Sequence, residues 1–499
     1  MNELKPFRPR ADFSAFRVLF SKSFGLLASL SLALGGCAFG PNFHPPQTTV
    51  DSGFANGEQT NLSSGRIAVD WWHGFKDAQL DGLVEHALSA NQDLRIATAR
   101  VQAARALRMG AIADELPVIN ATGSYSKSVF SEETTPFPLS RSQRELDLYS
   151  VGFDATWELD IFGRVRRSIQ ASNAELRGTI ANRQDVLVTM ISELARNYFE
   201  LRGGQNQLAV ARRNAANQQE TLDVAEAKFK AGRATELDTA RARAELNSTL
   251  ASIPSLEGAI KHSIHRLSVL TGQQPQALAP ELSEPAPIPA LPALANIGDP
   301  ASLLRRRPDI RAAESALAAA TARIGIATAD LFPRVTFNGN LGFSANTIGR
   351  LGKPATDSYA FGPQITWAAL DFGHVRARIR ASHAQADAEL AFYQKTVLTA
   401  LEETENALVD FGREQARREY LRQSVDSATQ AVALARQRYE SGIAEFLPVL
   451  DAERTQLEDE AQLAQSETRT ATSLVAIYKA LGGGWEIEQP KQIAQRQPR

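Results

Sequence analysis

Between Tyr149 and Leu159 the chain alternates. Tyr149, Val151, Phe153, Ala155, Trp157 and Leu159 are apolar, Ser150, Asp154, Thr156 and Glu158 are polar, and Gly152 is neutral. The same period returns in 334–345, with Val335, Phe337, Leu341 and Phe343 set against Thr336, Asn338, Asn340 and Ser344. It returns again in 358–369, where Tyr359, Phe361, Ile365 and Trp367 share a face. Successive side chains of a strand point to opposite faces, so each segment predicts a strand with one greasy and one wet face. The expected strands are 118–130, 148–160, 334–345 and 358–371, of which "VINATGSYSKSVF" (118–130) is the weakest match. Alternation alone favours an ordinary half-buried sheet; segments of about 10 residues also suit a membrane barrel with lipid outside and water inside.

Two stretches follow a different period. From Arg164 to Phe229 there is no proline and only Gly178, Gly203 and Gly204 interrupt; from His374 to Tyr439 only Gly412 does. Helices over 164–229 and 374–439 would each be about 100 Å long at 1.5 Å per residue, which predicts an elongated molecule. Ile180, Gln184, Leu187, Ile191, Leu194, Tyr198, Leu201 and Gln205 step by four and three, the spacing of a coiled-coil seam. Residues 210 further on (Leu390, Gln394, Val397, Leu401, Thr404, Leu408, Phe411, Gln415) repeat it. Elsewhere these helices are rich in Ala, Arg, Gln and Glu, leaving wide polar faces that are either solvated outside or line an aqueous interior.

The chain is internally duplicated. Residues 92–117 align without gaps on 308–333 with ten of 26 positions identical, an offset of 216. Trp157/Trp367, Gly163/Gly373, Gly232/Gly442 and Gly272/Gly482 match at an offset of 210. The six-residue difference falls between Pro117 and Trp157, where a surface loop absorbs it. Each half reads helix, two strands, very long helix, tight turn, helix. The expected organisation is an N-terminal extended segment 37–75, a first repeat 76–272 and a second repeat 301–485. Tip turns are expected at 230–236 and 440–446, with return helices to 271 and 481. Between the repeats, 273–300 holds seven prolines in 28 residues and reads as an extended linker; the polar tail 486–499 reads as disordered.

Composition changes the picture at one place. The only cysteine of 499 residues, Cys37, follows a basic region (Lys5, Arg8, Arg10, Arg17, Lys22) and a short apolar run from Ser23 to Leu34. That run is too short to span a bilayer, and residues 1–36 read as an export signal. "LGGC" resembles the bacterial lipobox, which implies a diacylglycerol and an N-acyl chain on Cys37 and no other cofactor. Export tips the alternating segments towards a barrel. Four strands cannot close one, because closed barrels begin at about eight, so several chains must pool their strands. Net charge is −2, with 54 basic and 56 acidic residues intermixed, which builds no field for nucleic acid. The seven histidines are scattered. His262 and His265 lie three apart on a helix without a nearby third ligand, and no nucleophilic triad or phosphate loop appears, so no enzyme or metal site is expected.

At this point the chain resembles the TolC-type outer-membrane efflux factors, in their lipidated NodT/OprM branch. The likeness runs from Cys37 to about Trp485, on "CAFGPNFHPP", "DWWHGFKDAQLDGLVEHALSANQDLR", "RRRPDIRAAE", "WELDIFGRVRR", "KFKAGRATELDTARARAEL" and "RYESGIAEFLPVLDAER". It implies a mainly α fold with a membrane β-barrel: a homotrimer with a twelve-stranded barrel and a periplasmic tunnel of long helices. It further implies an outer-membrane location, with a periplasmic adaptor protein and an inner-membrane RND-type pump as partners. Asp238, Leu447 and Asp451 would form the periplasmic gate, although Pro448 stands where some relatives carry another aspartate. Read alone, Asp238 and Asp451 are solvated residues near helix starts. The turns at Gly232 and Gly442, with Phe229 and Tyr439, would dock the adaptor. The expected function is a duct for small toxic compounds. The alternatives are a duct for protein, metal or aromatic-acid export, and a purely structural coiled-coil lipoprotein.

Overall fold

The computed structural model describes residues 38–57, 62–63, 65, 67–134, 137–292 and 295–488. The export signal, Cys37 and residues 489–499 of the tail therefore lie outside the described residues. The chain divides into two compact units. The first takes the residues up to His44, Arg105–Ala174 and Leu317–Ala388; the second takes Pro45–Ala104, Glu175–Ala316 and Glu389 onward.

The first unit is built on four strands: β1 (Val118–Val129), β2 (Glu145–Leu159), β3 (Arg334–Ala345) and β4 (Asp357–Thr366). They form one antiparallel sheet in the order β1-β2-β3-β4. β2 begins at Glu145, earlier than the expected 148. β4 stops at Thr366 instead of continuing to 371, because its partner β3 begins at Arg334, directly after Pro333, and Thr366 pairs with that first residue. Beyond it the chain turns, with the Asp371 amide donating to the Ala368 carbonyl over 3.1 Å.

The longer helices are α1 (Ala78–Ala90), α2 (Gln92–Ala113), α3 (Arg164–Lys230), α4 (Glu236–Leu270), α5 (Pro308–Ala329), α6 (Phe372–Glu440) and α7 (Leu447–Ala480). Each long helix, α3 and α6, begins in the first unit and ends in the second. No described helix is long and apolar enough to cross a membrane.

The second unit holds the main core. Along α3 the seam residues Leu187, Ile191, Leu194, Tyr198 and Leu201 are all fully enclosed. Trp71 stacks on Tyr478 at 4.8 Å and meets Trp72 edge-on, while Phe75 packs on Phe199. The polar seam residues find partners, as burial requires. Gln184 accepts from Arg311 (2.9 Å), and buried Gln205 donates to the Leu282 carbonyl (2.8 Å). That second bond bears on the Pro-rich stretch. Instead of staying extended throughout, 273–300 contains a helical turn at Ala279–Leu282 and a two-residue strand, Ala295–Asn296, parallel to Leu62–Ser63. Leu278 and Leu282 are buried in the core and hold the segment down, which proline content alone does not reveal.

Helix α3 passes close to α7 at Gly203. A Cβ there would lie 2.0 Å from Thr468 Oγ1 and 2.8 Å from its Cβ. Gly203→Ala is therefore expected to destabilise the second unit by about 1–3 kcal/mol in a thermal melt, as overpacking does, with partial recovery when combined with Thr468→Ala. An unchanged melting temperature for the single variant would contradict this packing.

Candidate functional site

The sheet registers sort its side chains into two faces. Tyr149, Val151, Phe153, Ala155, Trp157 and Leu159 of β2 align with Ala345, Phe343, Leu341, Gly339, Phe337 and Val335 of β3. Tyr359, Phe361, Pro363 and Ile365 of β4 and Ile119, Ala121, Gly123 and Tyr125 of β1 extend the same face outward. The result is one apolar surface four strands wide. It is not a core: Phe153, Leu341, Tyr359, Phe361 and Ile365 are each at least 59% exposed. The opposite face is polar, with Ser150 hydrogen-bonded to Ser344 (3.1 Å) and Asn338 donating to Gln364 (2.7 Å). β1, the weakest strand in the sequence, contributes Ile119, Ala121, Gly123 and Tyr125. Small residues at 121 and 123 mute its alternation, and only register shows that they share the greasy side.

The duplication reaches individual bonds. Trp157 Nε1 donates to the Glu115 carbonyl (2.9 Å), and Trp367 Nε1 donates to the Leu331 carbonyl (3.0 Å). The two tryptophans are 210 residues apart and the two acceptors 216, the same offsets that relate the repeats. An indole with an apolar body and a satisfied N–H suits the border between hydrocarbon and water.

The tip turns lie in the second unit. Both use a left-handed glycine: Gly232 at φ +69° and Gly442 at φ +71°. The Gly232 amide donates to the Phe229 carbonyl and the Arg233 amide to the Lys228 carbonyl. Gly442 to Tyr439 and Ile443 to Arg438 repeat the pattern, the paired bonds of a Schellman motif. The structure brings the two turns together through Lys228, whose Nζ sits 3.5 Å from the centre of the Tyr439 ring and donates to the Tyr439 carbonyl over 2.7 Å. Tyr439 also packs against buried Phe446; burial, with the Asp238 charge second, raises its phenol pKa. Phe229 remains 45% exposed.

The three gate candidates differ in setting. Asp238 closes a capping box on α4: its carboxylate accepts from the Thr235 amide (2.9 Å) and hydroxyl (2.8 Å), while its own amide donates to Thr235 Oγ1. Leu447 and Asp451, on the first turns of α7, are both exposed. Within one chain, no bond among the described residues joins Asp238 to Asp451.

Sequence reading missed a polar junction behind the tips. Arg436 Nε donates to Glu453 Oε1 (2.8 Å), Thr221 Oγ1 donates to the same oxygen (2.6 Å), and Arg436 Nη2 reaches the Asn217 carbonyl (3.3 Å). Three helices, α3, α6 and α7, meet there, and Glu453 is only 6% exposed. Its signal was weak, since an Arg and a Glu 17 residues apart on separate helices follow no local spacing rule. Truncating Arg436 would leave a buried carboxylate without its counter-charge, with only the Thr221 hydroxyl donating to it. Arg436→Met should lower stability by about 3–5 kcal/mol in chemical unfolding, and adding Glu453→Leu should restore most of it. A double variant as unstable as the single one would overturn this assignment.

Comparison with known proteins agrees with the fold. The family model described as "Outer membrane efflux protein" matches residues 83–273 and 300–483. Nodulation protein T of Rhizobium leguminosarum bv. trifolii is 32% identical over 460 residues, covering 91% of this chain and 96% of that one. The solvent efflux pump outer membrane protein SrpC of Pseudomonas putida is 32% identical over 465 residues, covering 92% and 97%. Among solved structures, the outer-membrane channel OprN superposes with a TM-score of 0.85 at 42% identity, covering 90% of this chain and all of that chain. The open state of the Neisseria gonorrhoeae MtrE outer membrane channel gives 0.76 at 27% identity, covering 90% and 99%. A family match on both repeats, joined to relatives alike along nearly their whole length, places this chain in the outer membrane efflux protein family.

Proposed function

We propose that three copies of this chain form one outer-membrane conduit that carries small toxic compounds from periplasm to exterior as the outer component of a tripartite efflux pump. The observation that carries the reading is the sheet. It offers an exposed apolar face four strands wide, a polar face behind it, and outer strands β1 and β4 that each pair on one side only. Hydrocarbon fits the first face and water the second. Unpaired backbone in lipid costs several kcal/mol per group, so the two free edges must meet edges of other copies. Three copies supply twelve strands, enough for a barrel with room for water.

In this reading Cys37 carries diacylglycerol and an N-acyl chain in the periplasmic leaflet of the outer membrane, and the helical tips face the periplasm. Asp238, Leu447 and Asp451 ring the closed end. A periplasmic adaptor docks at the turns around Gly232, Gly442, Phe229 and Tyr439, and links to an inner-membrane RND-type pump. That the relative SrpC is the outer membrane protein of a solvent efflux pump supports a small, toxic cargo. A structural lipoprotein without a pore fits the long helices but leaves the greasy sheet face without a purpose.

The deciding experiment is single-channel recording of the purified full chain in a planar bilayer: defined conductance steps support the conduit, and a water-soluble monomer without current overturns it. Two variants refine it. Phe361→Arg, on the proposed lipid face, should destabilise membrane insertion by about 2–4 kcal/mol, read as loss of the folded membrane-bound fraction. Gly442→Val places a β-branched residue at φ +71°, where nothing lies within 4 Å of the added Cβ, so only the backbone is strained. It should abolish export while leaving the oligomer intact; full export activity would remove the second tip turn from the docking site.

A further inference from the structure

Residues 38–44 form an irregular strap in the first unit, and the carbonyls of its first three residues converge on one side chain. Arg167 Nε donates to the Phe39 carbonyl (3.1 Å). Its Nη2 lies within bonding distance of the Ala38 carbonyl (3.2 Å), the Gly40 carbonyl (3.0 Å) and Asn42 Oδ1 (3.0 Å). Nη1 donates to Gln170 (2.9 Å). The residue is 3% exposed, and each of these partners is a neutral carbonyl or amide oxygen. A buried cation is tolerable only when its donors are met, and here the strap's backbone meets them.

The packing around the strap is equally specific. Gly163 (φ +83°) lies so near that a Cβ would be 2.6 Å from Ala38 Cα. Gly40 (φ +93°) faces Gly325, where a Cβ on Gly40 would be 2.5 Å from Gly325 Cα. A Cβ on Gly325 would in turn strike the Arg167 stem at 2.7 Å. Phe39 joins Phe332 (4.1 Å) and Phe162 (6.2 Å), which stack on each other at 4.9 Å, and its amide donates to the Phe162 carbonyl (3.4 Å).

The duplication provides an internal control. At an offset of 210, Arg167 corresponds to Ala377 and Gly163 to Gly373; at 216, Gly325 corresponds to Met109. Gly373 has no left-handed φ, and nothing lies within 4 Å of a Cβ built there. The repeats thus part company at Arg167 and Gly325, and in the backbone of Gly163. The shared fold does not demand Arg167 or Gly325, since the other repeat manages with Ala and Met. A single N-terminus does.

We propose that Arg167 is the positioning residue of a receptor for the chain's own mature N-terminus, holding Ala38–Asn42 against the start of α3 so that a lipid on Cys37 emerges at one fixed place beside the sheet. This rests on the reading of Cys37 as the lipidated position. Without the receptor, five extended residues would let that anchor wander over about 17 Å.

The test uses the full chain in detergent micelles, as Arg167→Met and Arg167→Lys, each with Cys37 intact and as Cys37→Ser behind an ordinary cleavable signal. Hydrogen exchange of residues 39–44 is followed beside that of 145–159, with intact mass for the lipid. Both Arg167 variants should speed exchange at the Phe39 amide ~100-fold while β2 keeps its protection, because a lysine lacks the planar fork. Cys37→Ser alone should leave the strap protected. Unchanged protection in Arg167→Met overturns the assignment. Should that variant fold poorly, Gly325→Ala, which presses on the Arg167 stem, must raise exchange in the strap by at least about tenfold, or the assignment falls. Lipid mass on Cys37 with a freely exchanging wild-type strap would sink the receptor alone. A protected strap with no lipid mass would sink the lipid reading and leave the receptor standing.

Discussion

A backbone amide or carbonyl that enters hydrocarbon must find a partner within protein, because the bilayer core offers none. That constraint governs this molecule. The sheet pairs its inner strands completely, then stops with β1 and β4 each bonded on one side. Everything on its apolar face would be a defect in water: a patch of phenylalanine, leucine, tyrosine and isoleucine far beyond what a lone soluble protein exposes. In lipid the same face is ordinary and the edges become the problem. In the proposed conduit one solution satisfies both, with edges meeting edges and the greasy side turned outward. Exposed apolar residues along α6, among them Phe392, Leu398, Tyr420 and Leu434, would find cover in the same assembly.

Duplication explains how one chain supplies so much wall from a simple plan. Tight turns recur at Gly232 and Gly442 and again at Gly272 and Gly482, all with left-handed backbones and the same paired bonds. The tryptophan bonds at the base of the sheet recur too. Where the copies differ, a reason specific to one location is visible. α3 is enclosed along its seam, whereas α6 leaves much of its length uncovered. The strap after Cys37 is held by Arg167, which Ala377 replaces in the second repeat, and packs on Gly325, which Met109 replaces in the first.

At the tips, geometry separates residue types that look alike in the sequence. Asp238 serves its own helix through a capping box, while Asp451 stands free of that duty near the start of α7. Lys228 and Tyr439 tie one turn to the other, and Arg436 with Glu453 and Thr221 joins three helices just behind them. Opening such an end, in the proposed mechanism, means rearranging charge-assisted bonds that are partly shielded from water, which favours two defined states over gradual loosening.

Much of this was legible without coordinates, because period and repetition are local properties. Alternation in 149–159, 334–345 and 358–369 specified strands; unbroken proline-free stretches with four-three spacing specified the long helices; fixed offsets of 210 and 216 revealed the duplication. Ends of elements were less readable: β4 ends at Thr366 because its partner runs out, and a strand's partner is not written in its own residues. The course of the Pro-rich stretch is hidden for the same reason, since Gln205, which bonds to it, and the core that receives Leu278 and Leu282 lie far away in sequence. Only the folded chain could show that Arg167 closes on Ala38, Phe39 and Gly40, some 127 to 129 residues before it. Sequence records what each segment prefers; contact between distant segments depends on how those preferences are brought together in space.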